Sequence, residues 1–385
     1  MLTHVLNRKQ VRAIVGALVP VFMSGCFSDC KMLIQPPNKS FYPMVESVPA
    51  PVGQGDPLAS EQWSIAKLGL TQAWTQSQGS HRIRVALIGT GVDYNHPDLR
   101  ANIAINSEEA VLRKPGVITP ADGIDNDGNG YIDDVVGYDV VDDHGFPYDS
   151  LGTGTAAAGV IAAVHGNGLG IRGIAPKVSL IPVRYIGPNG QTKVPNLVRA
   201  LNYAHAVRPD VVYLHVANIQ WSEEKEAVVK TEQAALKAAL TQLRTINVPV
   251  VVSAGNSGVD LGKFRTLIRE FAEFDNVVVV TSVGETDGKP TIANFGQSVH
   301  LAAPGEQVIT TLPGGAYGKQ SGTSIAAAHV AGTLALALAD HHGQYTTQQL
   351  LQKLTSEAGA DSVAGLEGLT LGGARLNVAK FLGAL

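Results

Sequence analysis

The stretch Ser321-Gly-Thr-Ser-Ile-Ala-Ala-Ala-His-Val-Ala-Gly332 places hydroxyl groups directly before an alanine-rich run. Alanine has the highest helix propensity, so residues 325–339 are predicted to form a helix with Ser324 at its head. A serine in that position can act as a nucleophile if a neighbouring base removes its proton. The alternative is that Thr323 or Ser324 only caps the helix.

Outward from this helix, the chain alternates between apolar runs and helical stretches. Residues 194–207 and 223–244 are predicted helices, and the apolar runs predict strands at residues 83–88, 178–183, 211–216, 248–252 and 277–280. Runs that are apolar on both faces are typical of a buried parallel sheet. The alternation predicts an α/β fold, a doubly wound, mostly parallel sheet with helices on both faces. A site is expected at the carboxyl ends of the strands.

Composition excludes one class of partner. The chain has 385 residues, of which 45% are apolar, enough for a sizeable core. Its formal net charge is -4, and it contains no long basic run. Nucleic-acid binding requires clustered lysine and arginine, so no nucleic-acid partner is expected. We expect a monomer.

Residues 1–25 predict an export signal. Arg8, Lys9 and Arg12 precede a short apolar stretch, residues 13–22, which is too short to span a bilayer comfortably. The following Met23-Ser-Gly-Cys26 resembles the bacterial lipobox, in which the cysteine is lipidated and becomes the mature N-terminus. The alternative is an ordinary secretory signal with an incidental cysteine.

These features predict an exported bacterial lipoprotein, anchored to a membrane by Cys26 on the periplasmic or cell-surface side. Residues 26–55 are rich in proline and glycine and predict a flexible linker, followed by one domain over residues 56–385. Lipidation of Cys26 leaves Cys30 without an intramolecular partner, so no disulfide is expected to support the fold.

Several motifs resemble those of the subtilases, the subtilisin-like serine proteases, and they occur in the order found in that family over about residues 56–380. Besides Ser321–Gly332, they are Asp56-Pro-Leu with Glu61-Gln-Trp63, His96-Pro-Asp-Leu99, Gly173-Ile-Ala-Pro176, Ala254-Gly-Asn256 and Ala303-Pro-Gly305. The resemblance implies a subtilisin-like fold, Ser324 at the nucleophile position and Asn256 at the oxyanion position, where its amide donates to developing negative charge. As a residue after a strand, Asn256 is also explained as a turn asparagine.

Two segments depart from the family's pattern. Where subtilases have Asp-Ser/Thr-Gly, this chain has Gly89-Thr90-Gly91, and where they have His-Gly-Thr-His-Val-Ala-Gly, it has Thr153-Gly-Thr-Ala-Ala-Ala-Gly159. Gly89 has no side chain to orient an imidazole, and the Thr153 hydroxyl cannot usefully accept a proton near neutral pH. In a serine protease, loss of the base alone costs about 10⁶ in turnover. The resemblance therefore implies a member that lacks the catalytic Asp and His.

The leading hypothesis is a membrane-tethered, catalytically inactive pseudoprotease with a binding, scaffolding or regulatory role. Its groove would take a peptide or protein ligand, although His215-Val-Ala-Asn218 replaces the family's Ser-Leu-Gly-Gly at the groove edge. Two alternatives remain: an active endopeptidase in which Asp93 or His144 helps Ser324, and a purely structural envelope protein. The other histidines are predicted to be structural, packed or surface residues: His96, His165, His205, His215 and His329.

Two calcium sites are predicted. Residues 122–134 resemble an EF-hand loop that begins at Asp125, although Val136 replaces the bidentate glutamate at its end. Hard oxygen ligands favour calcium over softer metals, and the alternative is a solvated acidic loop. The candidate ligands are Asp122, Asp125, Asp127, Asn129, the Tyr131 carbonyl and Asp133, with Asp134 as a substitute. The family resemblance alone implies a second set: Asp56, Asp98 and Asn167.

Overall fold

A computed structural model describes residues 55–385 except residues 115–116, 120–121, 217, 221 and 264–265. The predicted signal peptide, both cysteines and nearly all of the predicted linker lie outside the described residues, and these assignments stay predictions. All described residues belong to one compact unit.

A sheet of nine strands forms the centre of this described region, in the order β14-β15-β11-β10-β9-β7-β1-β5-β4. Neighbouring strands are parallel throughout, except for the antiparallel pair β14 and β15 at one edge. Three further pairs lie outside this sheet: β2 with β3, β6 with β8, and β12 with β13. The strands are β1 (Arg84–Gly89), β2 (Val111–Lys114), β3 (Val117–Thr119), β4 (Tyr138–Asp139), β5 (Ser179–Arg184), β6 (Gln191–Lys193), β7 (Val211–Leu214), β8 (Asn218–Gln220), β9 (Val250–Ser253), β10 (Val277–Val283), β11 (Leu301–Pro304), β12 (Val308–Leu312), β13 (Ala316–Gln320), β14 (Ala360–Ser362) and β15 (Ala374–Leu376).

Helices cover both faces of the sheet. They are α1 (Trp63–Lys67), α2 (Leu70–Gln76), α3 (Thr153–Ala162), α4 (Val194–Val207), α5 (Glu226–Thr245), α6 (Leu267–Phe271), α7 (Thr323–His341), α8 (Thr347–Thr355) and α9 (Val378–Gly383), with short 3₁₀ helices at Ala59–Glu61, Arg100–Asn102 and Ala364–Leu366. One core lies between the sheet and α3 and α7, and a second lies between the opposite face and α4 and α5. Successive residues of β7 alternate between them, Tyr213 in the first core and Leu214 in the second. The predicted doubly wound, mostly parallel α/β fold is confirmed.

Helix α7 runs through the larger core. Every residue from Thr323 to Ala337 is buried. Among the described helices it alone is long and apolar enough to cross a membrane, but 83% of its apolar window is buried inside the protein. Its composition is therefore explained by packing against the sheet and α3.

Glycine allows α3 to pack directly on strand β12. A Cβ at Gly159 would lie 2.3 Å from the Thr311 Oγ1 and 2.7 Å from the Thr310 Oγ1. Both hydroxyls are already fixed, because they donate to the Thr155 and Ala156 carbonyls of the same helix. A side chain at 159 would therefore force the helix away from the strand.

We expect Gly159→Ala to lower the free energy of unfolding by about 1–3 kcal/mol, because overpacking a rigid contact requires backbone shifts. The measurement is urea denaturation followed by circular dichroism. Gly365→Ala is the control, since no atom lies within 4 Å of a Cβ at that position. Equal stability of the two variants would contradict this account of the helix–strand contact.

Candidate active site

Helix α7 begins near the carboxyl ends of β7 and β9, and Ser324 lies in its first turn. Ser324 is 4% exposed, and its carbonyl accepts a hydrogen bond of 3.1 Å from the Tyr213 hydroxyl. The first amides of a helix have no acceptor within it, and no described residue provides one for the Ser324 N–H. The Ser324 hydroxyl also has no hydrogen-bond partner in the described part of the chain. The serine therefore presents two unpaired donors.

Asn256 follows β9 and lies beside this turn. Its Oδ1 accepts the Thr323 N–H at 3.0 Å, which fixes the orientation of the amide. A Cβ at Gly322 would lie 3.2 Å from the Asn256 Nδ2 and 3.4 Å from the Ser324 Oγ. The amide nitrogen and the hydroxyl thus flank one small space, which stays open because residue 322 is a glycine at φ 149°. Together they can donate to a negatively charged oxygen.

The end of β1 and the start of α3 lie in direct contact. The Gly154 N–H donates to the Thr90 Oγ1 at 2.8 Å. A Cβ at Gly154 would lie 1.9 Å from the Gly91 carbonyl oxygen, and a Cβ at Gly91 would lie 2.4 Å from the Pro147 carbonyl oxygen. Both glycines are therefore required by the backbone approach, which brings the two degenerate motifs together.

Gly89 and Thr153 lie on either side of this contact. Gly89 is the last residue of β1, and Thr153 is the first residue of α3. The carbonyl of Gly89 accepts the Tyr185 and Ile186 amides, while the Thr153 hydroxyl has no hydrogen-bond partner among the described residues. The identification of these two residues as the acid and base positions stays a prediction.

His215 follows strand β7 and approaches Gly89. Its N–H donates to the Ile88 carbonyl at 2.9 Å, so this residue continues the alignment of β7 with β1. Side chains two residues apart in a strand share a face, so His215 points to the same side of the sheet as Tyr213, the side of α7. A Cβ at Gly89 would lie 3.5 Å from the His215 Cβ.

The electrostatic state of His215 follows from its burial. The Nδ1 atom is completely buried and has no hydrogen-bond partner among the described residues. Burial lowers the pKa of the His215 imidazole to about 4, so the ring is neutral at pH 7. The sequence predicted a packed or surface histidine here. The alternation of side chains along β7 and the neighbouring strand β1 show that His215 lies against Gly89, the predicted acid position.

The two residues considered as substitute partners for Ser324 are engaged elsewhere. The Asp93 carboxylate accepts the Asn95 N–H at 3.2 Å and the Gly314 N–H at 2.8 Å. The His144 Nδ1 accepts the Phe146 N–H at 3.3 Å, and the two rings pack edge to face. Neither forms a described contact with Ser324.

A buried carboxylate just before α3 is also committed. Asp149 is fully buried, and burial raises the pKa of its carboxyl. It accepts hydrogen bonds from the Leu151, Gly152 and Thr155 amides and from the Thr155 hydroxyl. It therefore stabilises the N-terminus of α3, where a negative charge is favourable.

Three of the other histidines named from the sequence bond to the backbone. The His96 ring nitrogens face the Ala316 carbonyl and the Asp98 amide. The His165 Nε2 lies 2.7 Å from the Gly173 carbonyl, and the His329 Nδ1 lies 2.9 Å from the Ile325 carbonyl. His205 lies in the last turn of α4.

The predicted groove edge is partly paired within the chain. Strand β8 lies parallel to β6, with Gln191 opposite Asn218 and Lys193 opposite Gln220. The end of His215-Val-Ala-Asn218 therefore already has a strand partner. At its start, the His215 N–H donates to the Ile88 carbonyl, the His215 carbonyl accepts the Tyr185 hydroxyl, and the Val216 N–H donates to the Ser253 Oγ.

In the predicted calcium loop, most side-chain oxygens accept backbone amides. The Asp125 carboxylate accepts the Asn129 and Gly130 amides, and the Asn129 Oδ1 accepts the Tyr131 amide. The Asp122 carboxylate accepts the Ile124 amide at 2.9 Å, and the Asp133 carboxylate accepts the Gly123 amide. The Tyr131 ring packs against Tyr138 and Tyr203.

Three carboxylates converge beside this loop. Glu109, Asp127 and Asp134 each place an oxygen within 4.8 Å of the others. Burial raises the pKa of the Asp134 carboxyl to about 6, and Tyr203 and Asn106 donate hydrogen bonds to it. Glu109 was not among the predicted ligands, because it lies outside the loop. Hard oxygen donors around one point fit calcium.

The second predicted set forms a hydrogen-bonded network. The Asn167 Nδ2 donates to the Asp98 Oδ1 at 2.7 Å, and the Tyr317 hydroxyl donates to the other Asp98 oxygen at 3.3 Å. Asp56 forms an ion pair of 2.8 Å with Arg172, whose guanidinium supplies a positive charge. The Asn167 Oδ1 accepts the Leu169 amide. These residues fit a cation less well than the first group.

Comparison with known proteins places this geometry in a family. The pattern of the subtilase family matches residues 80–373. The chain is 28% identical to the thermophilic serine proteinase of Bacillus sp. (strain AK1) over 76% of this chain and 60% of that protein. It is 29% identical to thermitase of Thermoactinomyces vulgaris over 72% of this chain and 82% of that protein.

A solved structure supports the fold. The crystal structure of a lanthipeptide protease superposes with a TM-score of 0.65 at 22% identity, covering 84% of this chain and 95% of that chain. The chain spans less than two thirds of the Bacillus proteinase and most of thermitase. Because the family pattern extends over most of the sequence, this chain belongs to the subtilase family.

Proposed function

We propose that this chain is an exported, membrane-tethered subtilase that binds peptides without hydrolysing them. The observation that carries the proposal is the Ser324 hydroxyl, which has no hydrogen-bond acceptor among the described residues. A serine needs a base to become a nucleophile. Gly89 and Thr153 stand where the family has its acid and base, while Asn256 and the head of α7 still present donors to the same space.

A second candidate is an active endopeptidase with a relocated base. His215 favours it, because this ring is neutral and lies on the α7 side of the sheet. Its buried Nδ1 lacks the carboxylate that orients the imidazole in a triad. The proposed inactive protein is therefore the better supported of the two.

A fluorophosphonate probe distinguishes these candidates, because it labels only an activated serine. We expect no labelling of Ser324 above the level of Ser324→Ala, measured by intact mass, with thermitase as the positive control. Labelling that disappears in both Ser324→Ala and His215→Ala would establish the relocated base and overturn the proposal.

Restoring the family's residues tests the same proposal in the opposite direction, as a gain of labelling. The triple substitution Gly89→Asp, Thr153→His and His215→Ser rebuilds the family pattern at the site. If only these groups are missing, the variant should gain labelling that requires Ser324.

We also propose that calcium binds at Glu109, Asp127 and Asp134. The three carboxylates are close together and partly buried, so their mutual repulsion would be relieved by a divalent cation. The role is structural, because the group joins the loop to Asn106 and to Tyr203 of α4.

Calcium at about 100 times its dissociation constant should stabilise the protein by about 2.7 kcal/mol, seen as a rise in Tm by calorimetry. Asp127→Asn should abolish most of this rise. The control is Asp275→Asn, which alters an acidic group that already forms an ion pair with Arg244. An equal response of both variants, or no response of the wild-type protein, would contradict the site.

The membrane anchor is proposed from the sequence, since residues 1–54 lie outside the described part. Cys26 follows the apolar signal directly and matches the lipobox cysteine. A single acyl chain binds a membrane only weakly, so stable anchoring requires more than one.

We expect Cys26→Ser to shift the protein from the membrane fraction to the soluble fraction of expressing bacteria, as measured by immunoblot. Cys30→Ser is the matched control and should stay with the membrane. Retention of Cys26→Ser in the membrane fraction would rule out this anchor.

A further inference from the structure

We propose that the Arg172 guanidinium takes the place of a metal ion in the network of Asp56, Asp98 and Asn167, so that the start of the domain is held without calcium. The family resemblance implied a calcium site at these residues, and their contacts do not fit one. Among the described residues, neither acid belongs to a group of three or more histidine, cysteine or acidic side chains that could hold a metal ion.

The first support is the compensation of the Asp56 charge. The Asp56 side chain is completely buried, its Oδ1 accepts the Gly166 N–H at 2.7 Å, and its Oδ2 accepts the Arg172 Nε at 2.8 Å. A buried carboxylate is costly unless an opposite charge and hydrogen bonds compensate it. Arg172 provides the positive charge that a bound cation would otherwise provide.

The second support is the orientation of the Asn167 amide. Its Nδ2 donates to the Asp98 Oδ1 at 2.7 Å, while its Oδ1 accepts the Leu169 N–H at 2.8 Å. Turning the amide over would set its NH2 group against the Leu169 N–H, so the hydrogen bonds fix this orientation. Calcium requires oxygen ligands. Asn167 therefore presents a donor to Asp98 and uses its oxygen within its own loop.

The third support is that Asp98 is satisfied by protein donors. This fully buried carboxylate also accepts the Ile171 N–H at 3.2 Å and the Tyr317 hydroxyl at 3.3 Å. Burial raises the pKa of the Asp98 carboxyl to about 6, and the negative charge of Asp56 adds to the rise. The two acids thus repel each other, and a positive charge beside Asp56 lowers that repulsion.

The neighbouring histidine does not supply this charge. Burial lowers the pKa of the His165 imidazole to about 4, so the ring is neutral at pH 7. Its Nε2 lies 2.7 Å from the Gly173 carbonyl, and the ring packs edge to face on Trp74. Within the described part of the chain, the ion pair of Asp56 is the one with Arg172.

The backbone of Arg172 holds the same segment. Its N–H donates to the Gln62 Oε1 at 2.7 Å, and its carbonyl accepts the Gln62 Nε2 at 2.9 Å. The Leu58 N–H donates to the Gly170 carbonyl at 2.8 Å. Residues 56–62 are therefore attached to the loop at residues 166–172 through one arginine, at the point where the predicted linker joins the domain.

The test is hydrogen–deuterium exchange of the full chain, measured by mass spectrometry on peptides that cover residues 56–68 and 166–172. We expect exchange in these peptides to agree within about twofold between calcium and EDTA, because a cation bound there would slow local opening. The comparison is repeated in Asp127→Asn, which removes the calcium site proposed above. Any calcium response that remains then belongs to another site.

Two substitutions at position 172 isolate the charge. Arg172→Gln keeps a nitrogen the same number of bonds from the Cα as the Arg172 Nε but removes the charge. It should exchange about tenfold faster at residues 56–68, a moderate effect because the Arg172 side chain is 39% exposed. Arg172→Lys keeps the charge and should stay within about threefold of the wild-type protein. Arg82→Gln, at an exposed arginine, is the control and should change nothing.

A double-substitution cycle shows whether the two partners act as a pair. Asp56→Asn should also accelerate exchange at residues 56–68, and Asp56→Asn with Arg172→Gln should exchange no faster than the faster single variant. Circular dichroism checks that each variant is folded.

Each outcome decides the question. Slower exchange of residues 56–68 in calcium than in EDTA, retained in Asp127→Asn, would show a bound cation and overturn the inference. Unchanged exchange in Arg172→Gln, or equal acceleration in Arg172→Lys, would overturn it as well. Exchange that ignores calcium and rises only when the charge is removed would support it. None of these results involves Ser324, so a failure here leaves the proposed function standing.

Discussion

The approach of β1 to α3 is the constraint on which the site depends. Gly154 lies so close to the Gly91 carbonyl that no side chain fits between them, Gly91 packs in the same way on the Pro147 backbone, and the Thr90 hydroxyl accepts the Gly154 N–H. Asp149 then fixes the first turn of α3 from below. This junction is complete without a catalytic acid or base. The architecture here therefore does not depend on an acid at position 89 or a base at position 153.

The serine end of the site is held independently of this junction. Ser324 and Asn256 belong to α7 and to the end of β9, and their mutual contacts pass through Thr323 rather than through Gly89 or Thr153. The hydrogen-bond donors Ser324 and Asn256 therefore lie on a different part of the sheet edge from positions 89 and 153. Substitution at positions 89 and 153 is therefore expected to leave the contacts of Ser324 and Asn256 undistorted.

Sequence reasoning succeeded where the signal was local. The run at residues 83–88 matches β1 to within one residue, and α4 has the predicted bounds, because a proline in its first turn and a clear apolar face mark it. It did not anticipate the hairpin β12–β13 or the β14–β15 pair. The β14–β15 pair is stabilised by a partner distant in sequence, since Arg375 of β15 forms an ion pair with Asp287 as well as with Asp361. The β12–β13 hairpin is local, with Leu312 opposite Ala316.

The same distinction holds at the site. The Ser321–Gly332 motif and the other motifs that follow the family's order identified the family, which the comparisons confirm over residues 80–373. His215 and Glu109 were missed for a shared reason: each gains its meaning from a segment far away in sequence, β1 for the imidazole and the loop at Asp127 for the carboxylate. The roles assigned to Gly89, Thr153, Ser324 and Asn256 stay predictions.

The two outermost strands of the main sheet are very short, Tyr138–Asp139 on one side and Ala360–Ser362 on the other. A long bare rim would offer a template on which further chains could add by backbone pairing. Edge strands this short offer almost no unpaired backbone for such pairing. The main sheet is thereby protected from growing into fibres or mixed aggregates by edge-to-edge pairing.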